Sequence, residues 1–179
     1  MMLPAKKAST YEELRAAHLE QGGLIEWLQS FADKVRSAAE NGTRPTHIVL
    51  NAGVLKYPNR ATEMYVLGLG KGEVEREKTN VAVHRSYSDF ALHLHTNTIG
   101  PVVCAQRLIK AVPDSLSKVI FISSDSGSTA LFRSHEDGFG AYAASKAALN
   151  QMTRHMAAEL VRAGSKICIL AIHPGEVQT

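Results

Sequence analysis

Three short apolar runs constrain this chain more than any other feature. They are "THIVL" at residues 46–50, "KVIFIS" at 118–123 and "KICILAI" at 166–172. Each is too short for a buried helix, and none shows the polar alternation of a half-exposed strand. Between and before them the apolar residues recur at helical spacing instead. Continuously apolar strands separated by helical crossovers predict an α/β sandwich with a parallel sheet whose strands are covered on both faces.

The helical segments carry their own boundaries. Residues 10–41 read as helix, with Thr10 and Glu13 spaced as a capping box and Asn41-Gly42 as a stop. Leu24, Trp27, Leu28, Phe31 and Val35 predict one buried face there, and Gly22-Gly23 offers a break. A second helical period runs over 88–112 through Phe90, Leu94, Ile99, Val102, Val103 and Leu108. A third runs over 140–163, with Leu149, Met152, Met156 and Leu160 on one face. Residues 55–85 are mixed and charged, and read as an irregular insertion in a single domain spanning 1–179.

Bulk properties exclude several classes. The 20 basic residues are scattered and leave a formal net charge of only +3, which argues against a nucleic-acid partner. No apolar run approaches the ~20 residues of a membrane-spanning helix. The first ten residues lack an apolar signal core, so a cytoplasmic location is the expectation. Cys104 and Cys168 lie in apolar surroundings and read as small core residues, not as a disulfide or a metal pair. His93 and His95 are two apart on a helix, point to different faces, and do not make a metal site.

In a parallel sheet the ligand crevice lies beyond the carboxyl ends of the strands. Asn51 follows the first strand, Ser123 and Ser124 the second, and Pro174 and Gly175 the third. Tyr142 and Lys146 are four residues apart at the start of the third helix, so their side chains share a face. A free phenol titrates near ~10, and a cation held close to it favours the phenolate. Such a pair suits proton exchange near neutral pH. Asn97 lies inside a helical pattern where Asn is mildly unfavourable, and Gly100-Pro101 permit a local distortion there. Taken singly, Asn51, Asn97 and Ser124 also fit ordinary turn and loop roles.

Together these residues resemble the short-chain dehydrogenase/reductase family. The resemblance rests on Asn51-Ala52-Gly53, on Asn97 with Gly100-Pro101, on the "FISSDSG" serines, on Tyr142 and Lys146 within "AASKAAL", and on Pro174-Gly175. The wording of the last third is closest to the C-factor-like and carbonyl-reductase-like branch. It implies a partial Rossmann-type doubly wound sheet and hydride transfer between NAD(P) and a carbonyl or alcohol, with NADP favoured by the branch. Catalysis would fall to Asn97, Ser124, Tyr142 and Lys146. Cofactor contacts would come from Asn51, Ala52, Gly53, Tyr142, Lys146, Pro174, Gly175, Val177 and Thr179.

The pattern also departs from the family. No Thr-Gly-x-x-x-Gly-x-Gly turn precedes Asn51, so the chain resembles the family's middle, without its first three strands or its last strand and helix. Gly68, Gly70 and Gly72 only faintly imitate a phosphate loop. The loop before Tyr142 is long, which keeps Ser126 and Ser128 open beside Ser124. Weak or no activity is therefore expected, with an inactive interaction module as the alternative. Such a module would pair, with itself or with a relative, through helices 88–112 and 140–163.

Overall fold

The computed structural model describes residues 22–55 and 87–175. Helix α1 (Gly22–Glu40) leads into strand β1 (His47–Leu50); α2 (Tyr87–Leu94), a π-helical turn (His95–Ile99) and α3 (Gly100–Ala111) run on to strand β2 (Lys118–Ile122). Helix α4 (Gly140–Arg162) and strand β3 (Cys168–Ile172) complete the order. The Thr10–Glu13 capping box, the glycines at 68, 70 and 72, and nearly all of the 55–85 insertion lie outside the described residues. So do Val177 and Thr179.

The sheet is parallel in the order β1-β2-β3, with Ile48, Val119 and Ile169 in one register row and Leu50, Phe121 and Ala171 in another. Both crossovers step the same way along the sheet, so right-handed connections put α2–α3 and α4 on one face. Helix α1 joins that layer by packing on α3. The core forms between this layer and the sheet, from Ala32, Val102, Ala105, Leu108, Val119, Phe121 and Leu149 among others.

Covering is one-sided among the described residues. Val119 and Phe121 are fully buried, while Val49 (58% exposed) and Leu170 (38%) stand on the opposite face. The expectation of strands covered on both faces therefore holds only for the helix side. Apolar composition records a preference for burial, and Val49, Ile120 and Leu170 are a row with nothing packed over it among the described residues.

Helix faces differ from their predicted periods in the same way. Leu28 and Ala32 are buried, but Trp27 (60% exposed) and Phe31 turn outward and stack on each other, ring centroids 5.7 Å apart. On α4, Leu149 and Met156 are buried while Met152 is exposed. In the middle helix Ile99 is exposed, and polar His93, Asn97 and Thr98 take the interior positions. Cys104 is half-buried and burial pushes its thiol up, whereas Cys168 is exposed at the end of an edge strand and is not a core residue.

Helix endings follow local rules. After α1, Gly42 takes a left-handed conformation (φ 95°), Thr43 N–H donates to Ala38 O and Gly42 N–H to Ala39 O, the double bond of a Schellman stop. Gly164 ends α4 by the same pattern.

Beyond β2 the chain makes a short 3₁₀ turn, Asp125–Gly127, pressed on α4. A Cβ at Gly127 would lie 2.7 Å from the Lys146 carbonyl carbon and 2.8 Å from Ala147 N, closer than atoms pack. Only glycine lets this turn meet the helix that carries Lys146. Gly127→Ala is expected to lower unfolding stability by about 1–3 kcal/mol, read as a lower urea midpoint at unchanged slope.

Candidate active site

A cleft of about 280 Å³ opens at the carboxyl ends of the three strands. Asn51 and Gly53 enter it from the turn after β1, Ser123 and Ser124 from the end of β2, Tyr142 and Lys146 from α4, and Pro174 and Gly175 from beyond β3. Ala52 is exposed and is not part of the lining. Ser126 and Ser128 line other hollows, so of Ser124, Ser126 and Ser128 it is Ser124 that lies on the cleft with Tyr142.

Asn97 holds the floor together from below. It is fully buried, its Oδ1 accepts from Val54 N–H at 2.7 Å, and its Nδ2 donates to Val54 O at 2.9 Å and to Ser145 Oγ at 2.9 Å. One amide thus pairs with the backbone after β1 as a neighbouring strand would, and reaches α4 as well. Ser145 Oγ in turn donates to Tyr142 O at 2.7 Å, and Thr98 Oγ1 donates to Ser145 O at 2.7 Å.

The π-helical turn is what aims these groups. Pro101 has no N–H to give to the carbonyl four residues back, that of Asn97. Gly100 N–H bonds instead to His95 O, five residues back. The extra residue in the turn rotates Asn97 and Thr98 into the interior, the kind of local bulge that recurs at functional sites. The sequence signal for this was the Asn with Gly-Pro after it.

Lys146 is 3% exposed and donates to Ile122 O at 2.8 Å. Its Nζ lies 5.7 Å from the centre of the Tyr142 ring, so the charge sits beside the phenol. Phe139 meets that ring edge-on at 6.1 Å and walls it on another side. A Cβ at Gly53 would stand 3.6 Å from both Lys146 Nζ and Asn97 Oδ1, at ordinary contact distance, so the turn after β1 passes close beside the ammonium. Burial pushes the Lys146 ammonium below the ordinary lysine range.

Ser124 is half-buried, and its Oγ lies 3.1 Å from Ser126 Oγ and 3.3 Å from Asp125 Oδ1 while accepting from Ser126 N–H at 3.2 Å. Ser123 beside it is committed elsewhere, donating to Asn150 Oδ1 at 2.5 Å. Ser145, Val54 and His173 belong to the site and were not singled out in the sequence. Val54 contributes only backbone, which leaves no signal in a side-chain pattern. Ser145 stood inside "AASKAAL" as one small residue among many.

His93 turns into the core with Nδ1 2.6 Å from Asp89 O. No helix among the described residues is long and apolar enough to cross a membrane.

Comparison with known proteins identifies the family. A family model described as short chain dehydrogenase matches residues 23–179. Benzil reductase ((S)-benzoin forming) of Bacillus cereus is 28% identical over 152 residues, 84% of this chain and 51% of that protein. A chloroplastic NADPH-dependent aldehyde reductase-like protein of Arabidopsis thaliana is 30% identical over 155 residues, 85% of this chain and 46% of that one. A short-chain dehydrogenase from Streptomyces avermitilis shares the fold, with a TM-score of 0.57 and 24% identity over 87% of this chain and 46% of that one. The chain spans about half the length, or less, of the curated relatives it matches.

The buried lysine makes a pH signature. The unfolded chain binds more protons than the folded one between the depressed folded value of Lys146 and 10.5. Stability contributed through this group therefore rises with pH across that window. Relative to Lys146→Met, the parent is expected to gain unfolding free energy as pH rises toward 10.5. Denaturant titrations across that range check it, and a flat difference would oppose it.

Proposed function

The chain belongs to the short-chain dehydrogenase family, and on that premise we propose that it transfers hydride between a nicotinamide cofactor and a small carbonyl or alcohol. The observation that carries this reading is the meeting of Tyr142, Lys146 and Ser124 on one cleft with Asn51 and Gly53. We assign NADP(H) as the cofactor, a choice supported by the NADPH-dependent relative from Arabidopsis thaliana.

The cleft suits the nicotinamide riboside end of such a cofactor. Lys146 uses one N–H on Ile122 O and keeps two for a ribose, and the turn at Gly53 passes close beside that ammonium. Asn51, Pro174 and Gly175 complete the wall, with Val177 and Thr179 assigned to the same end. When bound, the nicotinamide supplies the hydride.

The chain's own groups handle the proton. Tyr142 exchanges it with the substrate oxygen, and the Lys146 charge stabilises negative charge left on the phenol oxygen. Ser124 holds the substrate oxygen beside that phenol. Asn97, its side chain spent on Val54 and Ser145, keeps the π-helical turn open for a water in the proton relay. Benzil and aromatic aldehydes are the first substrates to try, in keeping with the two named relatives.

We also assign pairing of two copies to the helices over 88–112 and 140–163. Exposed Ile99, Met152 and Val161 on those helices support it.

Two measurements test these readings. NADPH oxidation with those substrates should fall about 10²–10⁴-fold in Tyr142→Phe, at an unchanged unfolding midpoint. Equal turnover by parent and variant would refute the catalytic reading. Sedimentation equilibrium should give a dimer that Met152→Glu with Val161→Glu dissociates, and a monomeric parent would refute the pairing.

A further inference from the structure

The loop between β2 and α4 carries charged side chains that the proposed chemistry leaves unused. Arg133 Nη1 meets Asp125 Oδ2, and Arg133 Nε lies 2.8 Å from Glu136 Oε1. Glu136 Oε1 also accepts from Ser126 Oγ at 3.0 Å. With the two contacts of Ser124 Oγ, to Asp125 Oδ1 and Ser126 Oγ, a ring closes through Ser124, Asp125, Arg133, Glu136 and Ser126. The loop from Asp125 to Glu136 is thereby tied to Ser124, which shares the cleft with Tyr142.

The direction of the bonds matters. Ser126 has committed its hydroxyl hydrogen to Glu136, so its oxygen accepts from Ser124. The Ser124 oxygen is thus fixed by three partners, including the Ser126 N–H. Its own hydrogen faces two acceptors at 3.1 and 3.3 Å, both long for O–H···O. Oxygen position is set while the hydrogen stays lightly held, which suits a group that must donate to a substrate oxygen.

We propose that Arg133 is a positioning residue for the hydride-transfer reaction, clamping Asp125 and Glu136 so that the ring holds the Ser124 hydroxyl in the cleft wall. The proposal rests on the reading of Ser124 as the group that orients substrate. Arginine fits the task because its guanidinium hydrogen-bonds Asp125 through Nη1 while its Nε side lies against Glu136 as an ion pair, where a lysine offers a point charge. The pairs are partly buried, with Arg133 27% and Glu136 13% exposed at the side chain, so water screens them less than a surface pair.

Asp125 carries the mark of this clamp. Burial acts to raise its carboxyl, but the charges of His173 and Arg133, with hydrogen bonds from Ser126 N–H and Arg133, hold it below the ordinary carboxylate range. His173 Nε2 lies 3.6 Å from Asp125 Oδ2.

The test uses Arg133→Ala and Arg133→Lys in the full chain, with two independent readouts. Amide hydrogen exchange at Ser126 and Ser128, whose N–H groups bond to Ser124 Oγ and Asp125 O, should quicken about tenfold in Arg133→Ala, with strand β2 unchanged. Arg133→Lys should fall between the two. Kinetically, kcat should drop about tenfold to a hundredfold in Arg133→Ala while KM for NADPH stays within about twofold, and Arg133→Lys should recover part of the loss. Unchanged exchange in Arg133→Ala overturns the proposal whatever the turnover. Faster exchange at undiminished kcat overturns it too, leaving the ring a loop brace. Should parent and Tyr142→Phe turn over alike, the catalytic reading fails by itself, and the exchange readout still judges the ring.

Discussion

The buried amide of Asn97 is the constraint on which the site depends. It pairs with both polar groups of Val54 and with Ser145, at no exposure to water. Removing it would leave the part-buried N–H and carbonyl of Val54 without this partner, at up to about 1–3 kcal/mol for each group that water does not reach. The turn after β1, the π-helical bend and α4 are therefore held in one relative position. Everything that lines the cleft from β1 and α4 inherits its place from this contact. A regular α-helix could not supply it, because Asn97 would then be carried off the inward face.

Lys146 expresses the same tension between stability and chemistry. An ammonium at 3% exposure with one carbonyl partner is costly to bury, and burial alone depresses its proton affinity. Here it lies beside the Tyr142 ring and the backbone of Gly53. The small residues of α4 make the arrangement sterically feasible. Ala141 and Ser145 are fully buried, and Gly127 seats the turn after β2 directly on the helix backbone.

The sheet is covered on one face only among the described residues. Its helix-covered face is a packed core, and its other face carries an apolar row that stands open. Membership in the short-chain dehydrogenase family, and a span of about half the curated relatives, give that open face its context. The site nevertheless assembles from elements that are all on the covered side or at the strand ends.

What the sequence determined by itself was the order of elements and the end of the sheet where chemistry gathers. Apolar runs, helical periods and stop signals such as Asn41-Gly42 are local, so they can be read without knowing what packs where. The clustering of Asn51, Ser124, Tyr142 and Pro174 followed from the same order, since parallel strands deliver their ends to one side. Tertiary structure alone decided which faces were covered, sending Trp27, Phe31, Met152 and Cys168 outward and His93, Asn97 and Ser145 inward. It also built the Arg133 ring, from residues that looked like an ordinary polar loop. Burial and ion pairing are properties of a neighbour as much as of a residue, and the neighbour is chosen only when the chain folds.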